Sequence, residues 1–311
     1  MSSKNVVVVC GGAGFIGSHT CVALIESGYT PVVWDNLSNS SKESLERVGS
    51  ITGHRPQLRL IDMCNYDAVM AEMSSLNAEC GIICVILFAA LKSVGESMSQ
   101  PLRYYRNNMI AALNVLQAMS ECNIFRVVFS SSATVYGNAE TVPVSETSPA
   151  REATNPYGQT KVMIEQILND MSAAQPNFCA AILRYFNPIG AHPSGTMGED
   201  PNGIPNNLAP YIAQVAVGKR EFLTVFGNDW PTPDGTGVRD YIHVCDIADG
   251  HVAAVRRLET HAESFTVNLG TGKGYRCHFC VLFVECAHFP ILTQTLQCDG
   301  PFEGHGESLR P

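Results

Sequence analysis

An α/β fold built on a doubly wound parallel sheet is predicted by three features of the sequence. A continuous apolar run at 6–10 passes directly into a glycine-rich turn and then a helical pattern to Ser27. Strand-like and helix-like segments alternate from there, which is the pattern of a parallel sheet covered by helices on both faces. The alternation ends in a row of serines followed by a Tyr-x-x-x-Lys pair that opens another helix. These features divide the chain into a Rossmann-type dinucleotide-binding domain over 1–188, with a returning segment near 242–256, and a smaller C-terminal substrate-binding domain over 189–311.

The first strand, VVVVC at 6–10, is apolar on both faces, as a buried parallel strand requires. Gly11, Gly14 and Gly17 then give G-x-x-G-x-x-G, and Gly12, Gly14 and Gly17 also satisfy G-x-G-x-x-G. Glycine permits the tight turn, close backbone approach to a pyrophosphate, and packing of helix on strand, with the helix N-terminus facing the anion. The second strand, PVVW at 31–34, ends in Asp35, about 20 residues beyond the glycines, where a carboxylate accepts from ribose hydroxyls. No arginine follows closely to meet a 2′-phosphate, so NAD is expected over NADP.

The next strand, at 58–61, ends in Asp62 and Met63, a position suited to an adenine contact. The apolar run at 82–88 is a further buried strand. Gln100 and Pro101 open a long helix to about Cys122, and a strand at 124–129 precedes Ser130, Ser131 and Ser132. Ligands of such sheets bind at the strand C-terminal ends, so a serine hydroxyl here can relay a proton. Three serines at a strand end equally suit a helix cap or a turn.

Pro156, with its fixed φ and no N–H, suits the first turn of the following helix. Tyr157 and Lys161 are four apart, so they share one face of that helix. An ammonium held beside a phenol favours the phenolate and draws its pKa from about 10 toward neutrality, which makes Tyr157 a usable acid or base.

Composition narrows the partners. The 311 residues are 45% hydrophobic and 16% charged, which describes a globular chain with ample length for a core. A formal net charge of −9 argues against nucleic-acid or anionic-membrane surfaces. No apolar run approaches the ~20 residues that span a bilayer, and the run after Asn5 is too short for a signal-peptide core. Twelve cysteines without such a signal read as reduced thiols of a cytoplasmic protein.

With Gly11, Gly14, Gly17, Ser132, Tyr157 and Lys161 in this order, the chain resembles the extended short-chain dehydrogenase/reductase superfamily. Longer strings narrow the resemblance: 11–20, 35–40, 90–97, 184–192, 203–208 and 235–244. They look like the superfamily's epimerases that interconvert UDP-glucose and UDP-galactose at C4. The likeness runs from about Asn5 to Tyr275.

The resemblance implies tightly bound NAD contacted by Gly11, Gly14, Phe15, Ile16 and Gly17 at the first turn. After the second strand the contacts are Asp35, Asn36, Leu37, Ser38, Asn39 and Ser40, and later Asp62, Met63, Phe88, Ala89 and Ala90. Lys92, Asn107, Ser132, Tyr157, Lys161 and Phe186 would line the nicotinamide end. Asn187, Asn207, Leu208, Phe226 and Arg239, with Lys92, Ser132 and Tyr157, would hold the UDP-sugar. Arg239 suits a diphosphate because a guanidinium makes bidentate contacts. The ring of Phe226 is equally consistent with plain core.

The resemblance also implies a homodimer formed through the long helices near 101–122 and 157–173. Dehydratases of the superfamily carry Thr-Asp-Glu where this chain has Ser132-Ala133-Thr134, so their acid and base are absent. The related decarboxylases usually keep the glutamate, which is Thr134 here. Leu87 and Ala90 stand where relatives often have His and Gly, a conservative packing change.

After Tyr275 the resemblance stops. The family's next helix and Arg-x-Gly-Asp-type loop give way to Arg276-Cys277-His278-Phe279-Cys280 and an unrelated tail to Pro311. Cys277, Cys280, Cys286 and His288 fit no closed zinc site well, and no metal is expected. The tail allows an alternative reading, a weakly active or non-catalytic NAD-binding relative that has lost part of its UDP site.

Overall fold

The computed structural model describes residues 5–201, 203, 205, 207–223, 225–226, 229–276 and 298–299. The chain begins with β1 (Val6–Cys10), α1 (Phe15–Glu26), β2 (Thr30–Asp35), α2 (Glu43–Thr52), β3 (Gln57–Leu60) and α3 (Tyr66–Cys80). It continues with β4 (Ile82–Leu87), α4 (Val94–Ser99), α5 (Pro101–Glu121), β5 (Arg126–Ser132), α6 (Pro156–Ala174) and β6 (Cys179–Tyr185). Then follow β7 (Asn187–Ile189), α7 (Leu208–Ala216), β8 (Val225–Phe226), β9 (Val238–His243), α8 (Val244–Thr260), β10 (Phe265–Leu269), β11 (Gly274–Arg276) and β12 (Cys298–Asp299).

Seven strands form one sheet in the order β10-β6-β5-β4-β1-β2-β3, and every pairing in it is parallel. The strand order reverses between β1 and β4. That switch point opens a crevice at the strand C-terminal ends, where doubly wound sheets bind ligands. The chain returns to this sheet late, through α8 and β10, and β10 pairs with β6.

Alternation along β1 divides the core. Val6, Val8 and Cys10 face one side and pack with residues of α3, α5 and α6. Val7 and Val9 face the other and pack with α1, α2 and α8. Successive side chains on a strand point to opposite faces, so a strand apolar throughout must be covered on both.

A second sheet of three strands, in the order β11-β9-β7, grows from the end of the first. Only Phe186 separates β6 from β7, so the large sheet leads directly into the small one. β7 pairs parallel with β9, setting Asn187 opposite Tyr241. β8 pairs with β12 in a separate parallel contact.

The structure corrects the reading of the three serines as following their strand. They are the last three residues of β5, paired in register with Leu183, Arg184 and Tyr185. The ladder to β6 continues three residues further than the apolar pattern indicates, because its partner strand is buried along its whole length.

Candidate active site

The N-terminus of α1 is built to receive an anion. Its N-cap, Gly14, offers no side-chain cap, and the first turn carries no acidic residue. The first-turn N–H donors of a helix lack internal acceptors, and the helix dipole favours negative charge there. Gly11 has φ +81°, and a Cβ on it would lie 2.8 Å from the Ala89 nitrogen. A Cβ on Gly17 would meet the Gly11 carbonyl oxygen at 2.5 Å, so the helix lies against the turn only because this residue lacks one.

Asp35 ends β2 beside that turn and is buried. Its Oδ2 accepts from the Ala13 N–H at 3.0 Å, and its Oδ1 accepts from the Leu37 N–H at 2.8 Å and the Ser40 hydroxyl at 2.9 Å. Leu37 takes φ 56°, which folds the 36–40 loop around the carboxylate. Asn36 closes the same loop by accepting from the Ser38 N–H. Asn39 is exposed beside it.

The other wall comes from the end of β4. Phe88 and Ala89 both donate backbone N–H groups to the Cys10 carbonyl, at 2.9 and 3.0 Å. Ala90 is partly exposed in the same loop. Met63 is buried after β3, and its carbonyl accepts from Asn114 of α5 at 2.9 Å; Asp62 accepts from the Cys64 N–H.

Asn155 caps α6 by accepting from the Gly158 N–H at 2.8 Å, and Pro156 occupies the first turn. Tyr157 and Lys161 then share a face, with the Lys161 ammonium 5.8 Å from the Tyr157 ring centroid and 4.9 Å from that of Phe129. Lys161 is buried, and its Nζ donates to the Ser130 carbonyl at 2.6 Å. Burial pushes the Lys161 pKa down to about 7, against the pull of the Glu165 carboxylate one turn further along. The ammonium's direct partner is thus a backbone carbonyl, which orients it toward the site.

Of the serines, Ser132 accepts from the Thr134 N–H at 3.2 Å and caps the short 3-10 turn at Ala133–Tyr136. Ser131 donates to Glu165 at 2.5 Å. The cap and the candidate relay therefore coincide in Ser132, while Ser131 serves the framework of α6.

Lys92 pairs with Glu199 at 3.2 Å, and the same Glu199 oxygen accepts from Asn207 at 2.6 Å. Asn107 donates to Asn108. Phe186 lies against Gly270, on which a Cβ would meet the ring at 2.7 Å. Asn187 opens β7, Leu208 opens α7, and Arg239 lies on β9 with Nη1 donating to the Val238 carbonyl at 2.9 Å. Phe226 ends β8, and its side chain lies outside the described residues, as do all of 277–297 with the Cys277-x-x-Cys280 spacing. Among the described residues no group of three His, Cys, Asp or Glu side chains could hold a metal ion. Among them also, no helix is long and apolar enough to cross a membrane.

Several supporting residues escape a reading of the sequence. Asn108 is buried; it accepts from the Leu91 N–H at 2.8 Å and donates to the Leu91 carbonyl and to Thr160, joining the β4 loop to α6. Glu165 and Arg184 form a buried bidentate pair, at 2.6 and 3.0 Å. Asp240 is buried on β9 and accepts from the Thr271 N–H and hydroxyl and the Gly272 N–H. Polar residues at buried positions are the signal for such roles, but burial is visible only once the strands are paired.

The chain is similar in sequence and in fold to known proteins. A model of the NAD dependent epimerase/dehydratase family matches residues 7–270. The chain is 57% identical over 269 residues to a UDP-glucose 4-epimerase of Bacillus subtilis (strain 168), covering 86% of this chain and 78% of that protein. It is 53% identical over 270 residues to a UDP-glucose 4-epimerase of Dictyostelium discoideum, covering 86% and 77%. The crystal structure of UDP-glucose 4-epimerase from Bifidobacterium longum, in complex with NAD+ and UDP, has a TM-score of 0.86 at 47% identity, covering 92% of this chain and 84% of that one.

Proposed function

The chain belongs to the NAD dependent epimerase/dehydratase family, and we propose that it interconverts UDP-glucose and UDP-galactose by inverting C4 of the sugar. What supports this reading is that three features stand at the C-terminal ends of nearby strands: the uncapped α1 N-terminus after β1, the buried Asp35 at the end of β2, and the Tyr157–Lys161 face of α6, held to β5 through Ser130.

The residues present fit NAD. The glycine turn leaves room for a pyrophosphate at a helix N-terminus, and the Asp35 carboxylate suits an adenosine ribose with free hydroxyls and would repel a 2′-phosphate. Bound there, NAD supplies a hydride acceptor and donor facing the sugar. Gly11, Gly14, Phe15, Ile16, Gly17, the 35–40 loop, Asp62, Met63 and 88–90 are the groups we assign to holding it, with Lys92, Asn107 and Phe186 toward the nicotinamide.

Tyr157 takes the proton from the sugar 4-hydroxyl and returns it, directly or through Ser132. Lys161 holds the nicotinamide ribose and supports the phenolate electrostatically. Asn187, Asn207, Leu208, Phe226 and Arg239 bind the UDP portion, neutral amides on the uridine side and the guanidinium on the diphosphate. In this reading 1–188 with the returning segment hold the cofactor, and the remainder holds the nucleotide-sugar. The reaction is redox-neutral, so the cofactor need not leave between turnovers.

A homodimer through α5 and α6 is part of the same reading. Leu102 is 82% exposed and Leu113 45% on α5, and Met163 is 39% exposed on α6, apolar surface of the kind a partner covers. The free cysteines among the described residues suit a reducing cytoplasm. Incubating the purified protein with UDP-galactose and measuring UDP-glucose formation tests the function; sedimentation tests the dimer.

A further inference from the structure

His251 lies on α8, the helix across the large sheet from α6, and it is fully buried. Its Nδ1 lies 2.8 Å from the Ile247 carbonyl, one helical turn back. A carbonyl only accepts, so Nδ1 carries the proton and Nε2 is left with a lone pair. That lone pair meets the Tyr185 hydroxyl at 2.5 Å. The direction of this contact follows: Tyr185 donates and His251 accepts.

Tyr185 is the last residue of β6, paired in register with Ser132. Its hydroxyl also neighbours the Ser130 side chain, and Tyr157 is close enough to act on it electrostatically. The backbone carbonyl of that same Ser130 holds the Lys161 ammonium. The His251 ring further packs 4.7 Å from the Phe88 ring, at the β4 end of the crevice. A buried path therefore runs from α8 through Tyr185 and Ser130 to Lys161.

We propose that His251 is a positioning residue: by accepting from Tyr185 it fixes that hydroxyl's direction, and so fixes Ser130 and Lys161 beside Tyr157. Burial keeps its imidazole neutral, with the pKa pushed down to about 4, so the acceptor persists across the working pH range. An apolar residue here would remove the bond that anchors the Tyr185 hydroxyl, so that it no longer braces Ser130 and the groups that orient the ammonium. The inference rests on the epimerase reading of the Tyr157–Lys161 site.

The test uses the full chain with its copurified nucleotide. His251→Leu should lower kcat about five- to tenfold, with the KM for UDP-galactose and the nucleotide content within about twofold of the parent. His251→Gln, which restores an acceptor, should recover most of the loss. Tyr185→Phe removes the same bond from its other end and should reproduce the loss, and the double variant should be no worse than either single one. Should His251→Leu fail to fold, the Tyr185→Phe and His251→Gln pair still decides the matter. Unchanged kcat in Tyr185→Phe, or additive losses in the double variant, would overturn the inference alone. An inactive parent protein would overturn the epimerase reading and this inference together.

Discussion

Glu165 and Arg184 face each other across the boundary between α6 and β6, joined by two hydrogen bonds at 2.6 and 3.0 Å and both buried. Arg184 also donates to Tyr136, and Glu165 accepts from Ser131, so the pair ties α6 to β5, β6 and the loop before it. Removing one partner of a buried pair leaves the other charge uncompensated. Arg184→Ala should therefore lose about 3–5 kcal/mol of stability. Replacing both together, as in Glu165→Leu with Arg184→Met, should lose much less. Urea unfolding of the three proteins checks this, and equal losses in the single and double variants would show that the pair is not what the arginine contributes.

The buried Lys161 gives a pH dependence with a definite sign. Folding lowers its pKa to about 7, whereas the unfolded chain keeps that proton to about 10.4. Between those limits the unfolded state binds more protons, so this group makes stability rise with pH; below pH 7 its full burial penalty is present. In nucleotide-free protein, the unfolding midpoint of the parent should therefore gain on that of Lys161→Met from pH 7 to pH 10. A difference that is flat across that range would mean that the ammonium is not desolvated as described.

Asp35 accepts three hydrogen bonds, one from the glycine turn at Ala13 and two from its own loop at Leu37 and Ser40, so protein groups alone hold it in place. Extraction of bound nucleotide from the purified protein should yield NAD and little NADP. Asp35→Ala should release most of the NAD, and chromatography of the extracted nucleotide reads both results. NADP as the main species would end the assignment.

The large sheet was legible in the sequence because most of its strands, β1, β2, β4 and β6 among them, are apolar on both faces. The glycine turn, Asp35 and the Tyr157–Lys161 spacing are recognisable as local patterns, although distant residues hold each of them in place. The short helix α4 was not foreseen: six residues give too little periodicity, and its cap, Ser93, is recognised only from its bond with the Glu96 N–H. Asn108, Arg184, Asp240 and His251 were illegible for a different reason. Each is a polar residue whose partners lie on other elements, and nothing in the chain order says which strands adjoin. The small sheet sets Asn187 and Arg239 on adjacent strands through the β7–β9 pairing, a long-range register that local pattern does not specify.

The central claim is that Tyr157 carries the proton in a C4 epimerisation that needs no added cofactor. The direct test is turnover of UDP-galactose to UDP-glucose by the purified protein without added nucleotide, beside the Tyr157→Phe variant. The parent should turn over on its copurified NAD, and the variant should retain NAD while losing roughly 10²–10⁴-fold in kcat, the usual worth of a positioned acid–base group. Activity of the variant within threefold of the parent, or a parent that holds NAD yet forms no UDP-glucose, would contradict it.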